Sequence, residues 1–311
     1  KLLRYDRSDC KDTLVTLVRK ADVIVHLAGE NRPKKQTDFE KVNAKLTQYI
    51  CDVLIECKSD ALVILASSTQ ALLDTEYGKS KLCAENMVKK LSKDHGNPVA
   101  IYRLPGIFGK WCKPNYNSVV ATFCNNISKD LPIQVNDENK ELTLAHIDDV
   151  VSSLITTINV TFSEVKYVSL DVEYKVTVGE LARQLKSFRD SRDCLVLSSV
   201  GNGFSRSLYS TYISYLTKEN FSYSIPTYTD DRGLFVEFFK SKDAGQVSFF
   251  TAKVGVTRGS HYHHTKTEKF IVLKGIASFG FRNLITNEVH RIETSDADSQ
   301  VVETIPGWVH D

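Results

Sequence analysis

The chain has 311 residues, 42% of them apolar, with 40 Lys and Arg against 38 Asp and Glu, a net charge of +2. That length holds one large core or two smaller ones, with two favoured. The near-neutral balance excludes the one-signed field that nucleic acid or an anionic membrane would require.

Apolar stretches such as Ala61–Ala66 fall far short of the ~20 residues that span a bilayer. The opening Lys1-Leu2-Leu3-Arg4-Tyr5-Asp6 is charged at once, unlike a secretory signal. Seven cysteines without C-x-x-C spacing read as thiols of a reducing compartment, so a cytoplasmic chain is expected.

The first two-thirds alternates buried strands with helical patterns. Val23–Leu27 reads as a strand, and residues 41–57 place Val42, Leu46, Ile50, Val53, Leu54 and Cys57 on one helical face. A second strand follows at Leu62–Leu65, a second helix from about Gly78 to Lys93, and a third strand at Val99–Tyr102. Strands separated by helices imply a parallel, doubly wound α/β sheet. Residues 204–223 read as a tyrosine-rich helix and then a linker, with Ser205 as N-cap. From about Asp230 the runs Leu234–Phe239, Gln246–Ala252, Lys269–Leu273 and Ala277–Phe281 are separated by glycine turns, the pattern of an all-β sandwich or barrel. The boundaries expected are a domain over 1–218, a linker over 219–226 and a second domain over 227–311. Both ends read as cut: no glycine-rich turn of a dinucleotide fold precedes the first strand, and His310-Asp311 falls where a β-domain needs further strands.

Tyr77-Gly78-Lys79-Ser80-Lys81 places a Tyr and a Lys one turn apart at a helix start. A cation beside the phenol favours the phenolate and brings its pKa nearer neutrality, so that the Tyr can exchange a proton with a substrate oxygen. With 13 tyrosines in the chain one such spacing arises by chance about once, and Tyr262–Lys266 is a second. Context favours Tyr77. Ser68 ends the second strand at the edge where open α/β sheets bind ligands, and the small residues of Leu27-Ala28-Gly29 end the first.

Ala28-Gly29, Asn43, Ser67-Ser68, Tyr77-x-x-x-Lys81, Arg103-Leu104-Pro105 and His146-Ile147-Asp148-Asp149-Val150 together resemble the extended short-chain dehydrogenase/reductases over residues 1–200. The resemblance implies a Rossmann-like fold and a Ser68–Tyr77–Lys81 triad. Lys81 would also hold a nicotinamide ribose, with Leu27, Ala28, Gly29 and Leu104 lining the cofactor. Arg7 suits a 2′-phosphate, so NADPH is expected over NADH. The loop Gly109–Asn117 has two readings: Lys110, Lys113, Asn115 and Asn117 hold a diphosphate while its aromatics stack a base, or it is a solvated loop.

Further on, Gly255-x5-His261-x-His263-x4-Glu268-x6-Gly275 is much less probable by chance. Residues 261 and 263 of a strand point the same way. Pro306-Gly307-x-x-His310 can return a third imidazole, and three nitrogens with a carboxylate suit Zn²⁺. These spacings resemble the two motifs of the cupin superfamily. Asp231-Arg232-Gly233-x-Phe235-x-Glu237-x-Phe239 and Arg258-Gly259-x-His261-Tyr262 resemble nucleotide-sugar 3,5-epimerases, which implies substrate contacts from Arg232 and Glu237. In those enzymes a His acts as base, whereas here His261 is either base or metal ligand, since a ligated lone pair cannot accept a proton.

A reductase joined to a cupin resembles the bifunctional capsular polysaccharide enzymes of the CapF type. Arg103, Lys110, Lys113, Asn115, Asn117, Arg232 and Glu237 would then contact a UDP-linked 4-keto amino sugar. The cupin would epimerise C3, and the first domain would reduce the C4 ketone with NADPH. A homodimer is expected from the tyrosine-rich 204–223 and the barrel edges. Two alternatives are a monofunctional reductase whose cupin only binds metal, and a non-catalytic dinucleotide sensor.

Overall fold

Three runs of branched apolar residues set the main sheet of the computed structural model, which describes residues 1–31, 40–243 and 245–311. They are β1 (Val23–His26), β2 (Leu62–Ser68) and β3 (Val99–Leu104), and with β6 (Val165–Tyr167) they form one parallel sheet in the order β1-β2-β3-β6. Side chains alternate across a strand, so Val63 and Leu65 face one layer of helices while Leu62 and Ile64 face the other. The first layer holds α1 (Lys11–Val18), α2 (Leu46–Glu56) and α3 (Glu76–His95), packed through Leu14, Val18, Ile50, Leu54, Val88 and Leu91. The opposite layer is α5 (Ile147–Ile158), which places Val150 and Leu154 against Ile64 and Tyr102. Helices on both faces make the sheet doubly wound. Each fully buried branched side chain contributes roughly 1.5–3 kcal/mol.

A second, smaller sheet joins β4 (Gly106–Phe108), β5 (Glu141–His146) and β7 (Tyr174–Thr177). Its core comes from α4 (Val119–Ile127), α6 (Val178–Cys194) and α7 (Gly203–Ile213). The two-residue β8 (Val196–Leu197) follows α6.

Local chemistry accounts for several departures from expectation. The helix expected over 41–57 opens as a π-helical turn, Glu40–Lys45, before α2 begins; the side chain of Val42 lies outside the described residues. The tyrosine-rich helix expected at the start of 204–223 is α7, which ends at Ile213. Its N-cap is Asn202 rather than Ser205, whose hydroxyl instead accepts from Gln184 at 2.5 Å. Ahead of α1, Asp6 turns the chain by accepting from the Ser8 amide at 2.8 Å.

Chain contacts divide the molecule into Lys1–Tyr223 and Ser224–Asp311. The second unit is all-β: β9 (Thr227–Asp230), β10 (Gly233–Ser241), β11 (Gly245–Phe250), β12 (Lys269–Ile271), β13 (Ile276–Asn283), β14 (Val289–Ser295), β15 (Val301–Glu303) and β16 (Trp308–His310). Its pairings are antiparallel, β9-β10-β11, β12-β15 and β14-β13-β16. No hydrogen-bonded ring closes among the described residues. Ala244, in one of the expected glycine turns, lies outside them. Of the second unit's described apolar side chains, only Val236, Phe281 and Val302 are buried.

Candidate active site and metal centre

The parallel sheet brings the carboxyl ends of β1, β2 and β3 to one edge, and α3 starts there. Thr75 caps α3 by accepting from the Gly78 amide at 3.0 Å, which fixes the first turn and Tyr77 within it. Tyr77 is hydrogen-bonded to Ser68, the last residue of β2. One turn on, the Lys81 ammonium donates to the Ala66 carbonyl at 3.0 Å and lies 6.0 Å from the Tyr77 ring centre. Ser68, Tyr77 and Lys81 therefore meet at the tip of β2. Gly29, just beyond β1, completes the wall: a Cβ there would stand 3.0 Å from Lys81 Nζ and 3.2 Å from Asn43 Oδ1. Asn43 ties the wall together, accepting from the Glu30 amide at 2.7 Å and donating to Ser80 Oγ at 2.9 Å.

Burial governs the protonation states. It pushes the Tyr77 phenol above its usual range, against the opposing Ser68 bond. The net shift is thus opposite to the lowering expected from Lys81, with burial the larger cause. A Tyr that keeps its proton at neutral pH is suited to donate one. Burial also lowers Lys81, while the charge of Glu85 opposes that. His26, bonded to Thr47 Oγ1 at 2.9 Å, is pushed down to about 4 by burial and then by the Lys81 charge.

The sequence reading missed Glu85, whose side chain is wholly buried. Its carboxylate accepts from Ser67 Oγ at 2.5 Å, Arg103 Nε at 3.0 Å, Arg103 Nη2 at 2.7 Å and Tyr167 OH at 3.0 Å. Burial alone would raise its pKa, yet these partners hold it below the usual carboxylate value. Its signal in the sequence is an acidic residue two turns beyond Tyr77 on a face otherwise packed with Ala84, Val88 and Leu91. Arg103, expected on a substrate, is committed to this carboxylate.

The remaining expected residues of the first unit spread around the same edge. Leu27, Ala28 and Gly29 are exposed, and Leu104 is buried at the end of β3. Arg7 reaches the β1 end through Glu30, at 2.7 Å, and Tyr116 of the 109–117 loop donates to the same carboxylate at 3.0 Å. Lys110 pairs with Asp148 at 2.6 Å, Lys113 lies over the Tyr116 ring, and Asn115 adopts a left-handed φ of 54°. Lys113, Asn115, Asn117 and Trp111 are exposed.

In the second unit His261, His263, Glu268 and His310 converge, with one ligand atom of each within 4.8 Å of all the others. His263 Nε2 and His310 Nε2 both face Glu268 Oε2, at 3.2 and 3.3 Å. An antiparallel bridge joins His261 to His310. Gly259, at φ +100°, makes this approach possible, because a Cβ would sit 2.8 Å from the His310 carbonyl oxygen. Lys266 takes the other carboxylate oxygen of Glu268 at 2.6 Å, and Tyr262 packs edge-on against His264. The second Tyr-x-x-x-Lys is thus no pair at all. Arg232 pairs locally with Asp230 at 2.6 Å and Glu237 with Lys240 at 2.9 Å, so neither joins the histidine cluster.

Both groups suit the partners their chemistry suggests. Neither ring nitrogen of buried His310 makes a hydrogen bond among the described residues, although Nε2 faces Glu268 Oε2 at 3.3 Å. A tetrahedral cation with ~2.1 Å bonds needs donors roughly 3.4 Å apart, reached from here by small side-chain rotations. In the first unit an ammonium carries three donors and Lys81 makes one hydrogen bond among the described residues, leaving capacity for ribose hydroxyls beside Gly29.

Comparison with known proteins follows the same division. Residues 3–167 match the NAD dependent epimerase/dehydratase family, and residues 228–311 match the polysaccharide biosynthesis C-terminal domain. A Pseudomonas aeruginosa protein named UDP-2-acetamido-2,6-beta-L-arabino-hexul-4-ose reductase is 47% identical over all of this chain and 84% of its own length. The capsular polysaccharide assembling protein CapF of Staphylococcus aureus is 41% identical with a TM-score of 0.87, over 98% of this chain and 83% of that one. A Thermus thermophilus UDP-glucose 4-epimerase, solved with NAD, shares the fold alone, at 13% identity and a TM-score of 0.55, over 66% of this chain and 82% of that one. With an epimerase/dehydratase domain and a polysaccharide biosynthesis domain on one polypeptide, the chain belongs to the CapF family.

Proposed function

We propose that the chain is a bifunctional sugar-nucleotide enzyme acting on a UDP-linked 4-keto-2-acetamido-2,6-dideoxyhexose. The second unit epimerises C3, and the first unit reduces the C4 ketone, on the route to UDP-N-acetyl-L-fucosamine for a surface polysaccharide. The observation that carries the reductase half is the meeting of Ser68, Tyr77 and Lys81 at the tip of β2. The name of the Pseudomonas relative supports the substrate class.

Leu27, Ala28, Gly29, Lys81 and Leu104 would hold a dinucleotide, with Arg7 favouring the 2′-phosphate of NADPH. When bound, a reduced nicotinamide supplies hydride. Tyr77, kept protonated by burial, donates its proton to the C4 oxygen, and Ser68 orients both oxygens. Lys81 supplies positive charge beside the phenol as the proton leaves.

Epimerisation uses the acidity of the C3 hydrogen next to the C4 carbonyl, and reduction afterwards fixes the new configuration. His263, Glu268 and His310 would hold a cation such as Zn²⁺, which supplies Lewis acidity or rigidity. His261 is the exposed member of the cluster and serves the substrate either as base or as fourth ligand. Exchanging it decides which: His261→Asn that keeps metal but loses C3 exchange makes it the base, and lost metal makes it a ligand.

The deciding experiment replaces Tyr77 with Phe. NADPH oxidation should fall by about 10²–10⁴, the usual contribution of a positioned acid, while deuterium still enters C3. Unchanged oxidation would overturn the reductase assignment. A second reading, in which the cation centre is purely structural, is favoured by the burial of His310 and the sparse core around it. Absence of C3 deuterium uptake in the wild-type protein would establish it.

A further inference from the structure

We infer that Glu85 is a positioning residue for the reductase site, clamping α3 to the end of β2 and so setting the Ser68–Tyr77–Lys81 geometry. The inference rests on the reductase reading above. Tyr77, Lys81 and Glu85 are spaced by four along α3 and share one face. Each meets a different residue at the end of β2: Tyr77 meets Ser68, Lys81 the Ala66 carbonyl at 3.0 Å, and Glu85 the Ser67 hydroxyl at 2.5 Å. Three attachments in a row stop the helix from sliding or turning against the strand.

Glu85 is the only fully buried carboxylate in this row, and it reaches beyond β2. Arg103 on β3 holds it with two nitrogens, and Tyr167 on β6 adds a third donor group. One side chain therefore fastens the catalytic helix to three adjacent strands. Stability alone does not ask for this arrangement, since buried ion pairs are often replaceable by apolar groups of similar volume without loss. What the carboxylate adds is direction. Displacement of a reacting group by about 1 Å can lower a rate on the order of 100-fold. The charge of Glu85 also works against the burial that lowers Lys81, helping to keep the ammonium charged.

The test measures steady-state NADPH oxidation on the UDP-4-keto sugar by the full chain carrying Glu85→Gln or Ser67→Ala. Both variants should lose about 10-fold in kcat with both KM values within about 2-fold, the split that marks lost positioning rather than lost binding. Ser67→Ala leaves the Glu85–Arg103 pair intact, so its melting midpoint should stay near wild type, and it decides the matter alone if Glu85→Gln does not fold. A kcat per folded molecule within about 2-fold of wild type for Ser67→Ala would overturn the inference. Tyr77→Phe measured alongside separates the two failures. If it is inactive while Ser67→Ala is normal, only the clamp is wrong; if it is fully active, the reductase reading falls with it.

Discussion

Around the tip of β2, depth below the surface decides which side chains carry charge. His26 shows the effect most clearly, held down to about 4 by burial with help from the Lys81 charge. In the unfolded chain it would titrate near 6.5. Between those values the unfolded state binds the extra proton, so this contribution is complete above about pH 6.5 and is lost as pH falls towards 4. It amounts to about 3 kcal/mol. Urea unfolding of the first unit, wild type against His26→Gln, should show a stability difference that grows with pH across that window; a pH-independent difference would contradict it. Such environments are only partly legible in a sequence. Tyr77 and Tyr262 carry the same motif, and only the strand ending at Ser68 hints which one matters. Glu85 looks like any solvated helix carboxylate until Ser67, Arg103 and Tyr167, from three different strands, are seen to surround it. The histidine cluster was more legible from its spacing, although His261 and His263 lie in a loop rather than on the expected strand, with His261 held by a single backbone bridge to His310.

Helices and strands were readable where burial imposes a clear period. β2 and β3 are continuous apolar runs because both their faces are covered, and α2 and α3 show their inner faces plainly. The second sheet escaped notice because β4 and β7 are short, at 3 and 4 residues, and their burial is partial. α7 followed by a linker was legible in the tyrosine-rich 204–223, but its start was misplaced, being set by Asn202 rather than Ser205. The start of α3 has functional weight, since Tyr77 lies in the turn that Thr75 caps. Thr75→Ala should destabilise by about 1 kcal/mol, and reductase kcat should fall more than the loss of folded protein explains. Thr75→Ser should restore both. Equal losses in kcat and folded fraction would mean that the cap serves stability alone.

At the scale of the whole chain the contrast is between a well-filled first unit and a second unit with three buried apolar side chains among its described residues. Small domains with little core commonly rely on a metal or a cross-link. No helix among the described residues is long and apolar enough to cross a membrane. Metal analysis should find about one zinc per chain, and a chelator should lower the melting of the second unit by several degrees while leaving the first unit's transition in place. Added zinc should reverse the change, as expected for a ligand that binds only the folded form. An unaltered melting curve in chelator would remove the metal from the account of stability. The donors also impose an order in time. His261, His263 and Glu268 are close neighbours along the chain, but His310 comes from a distant strand that reaches them by backbone pairing with His261 and with Phe281 of β13. A cation bound by all four would therefore be captured only once the strands between Glu268 and His310 have been synthesised and have folded back, later than at a site built from chain neighbours alone.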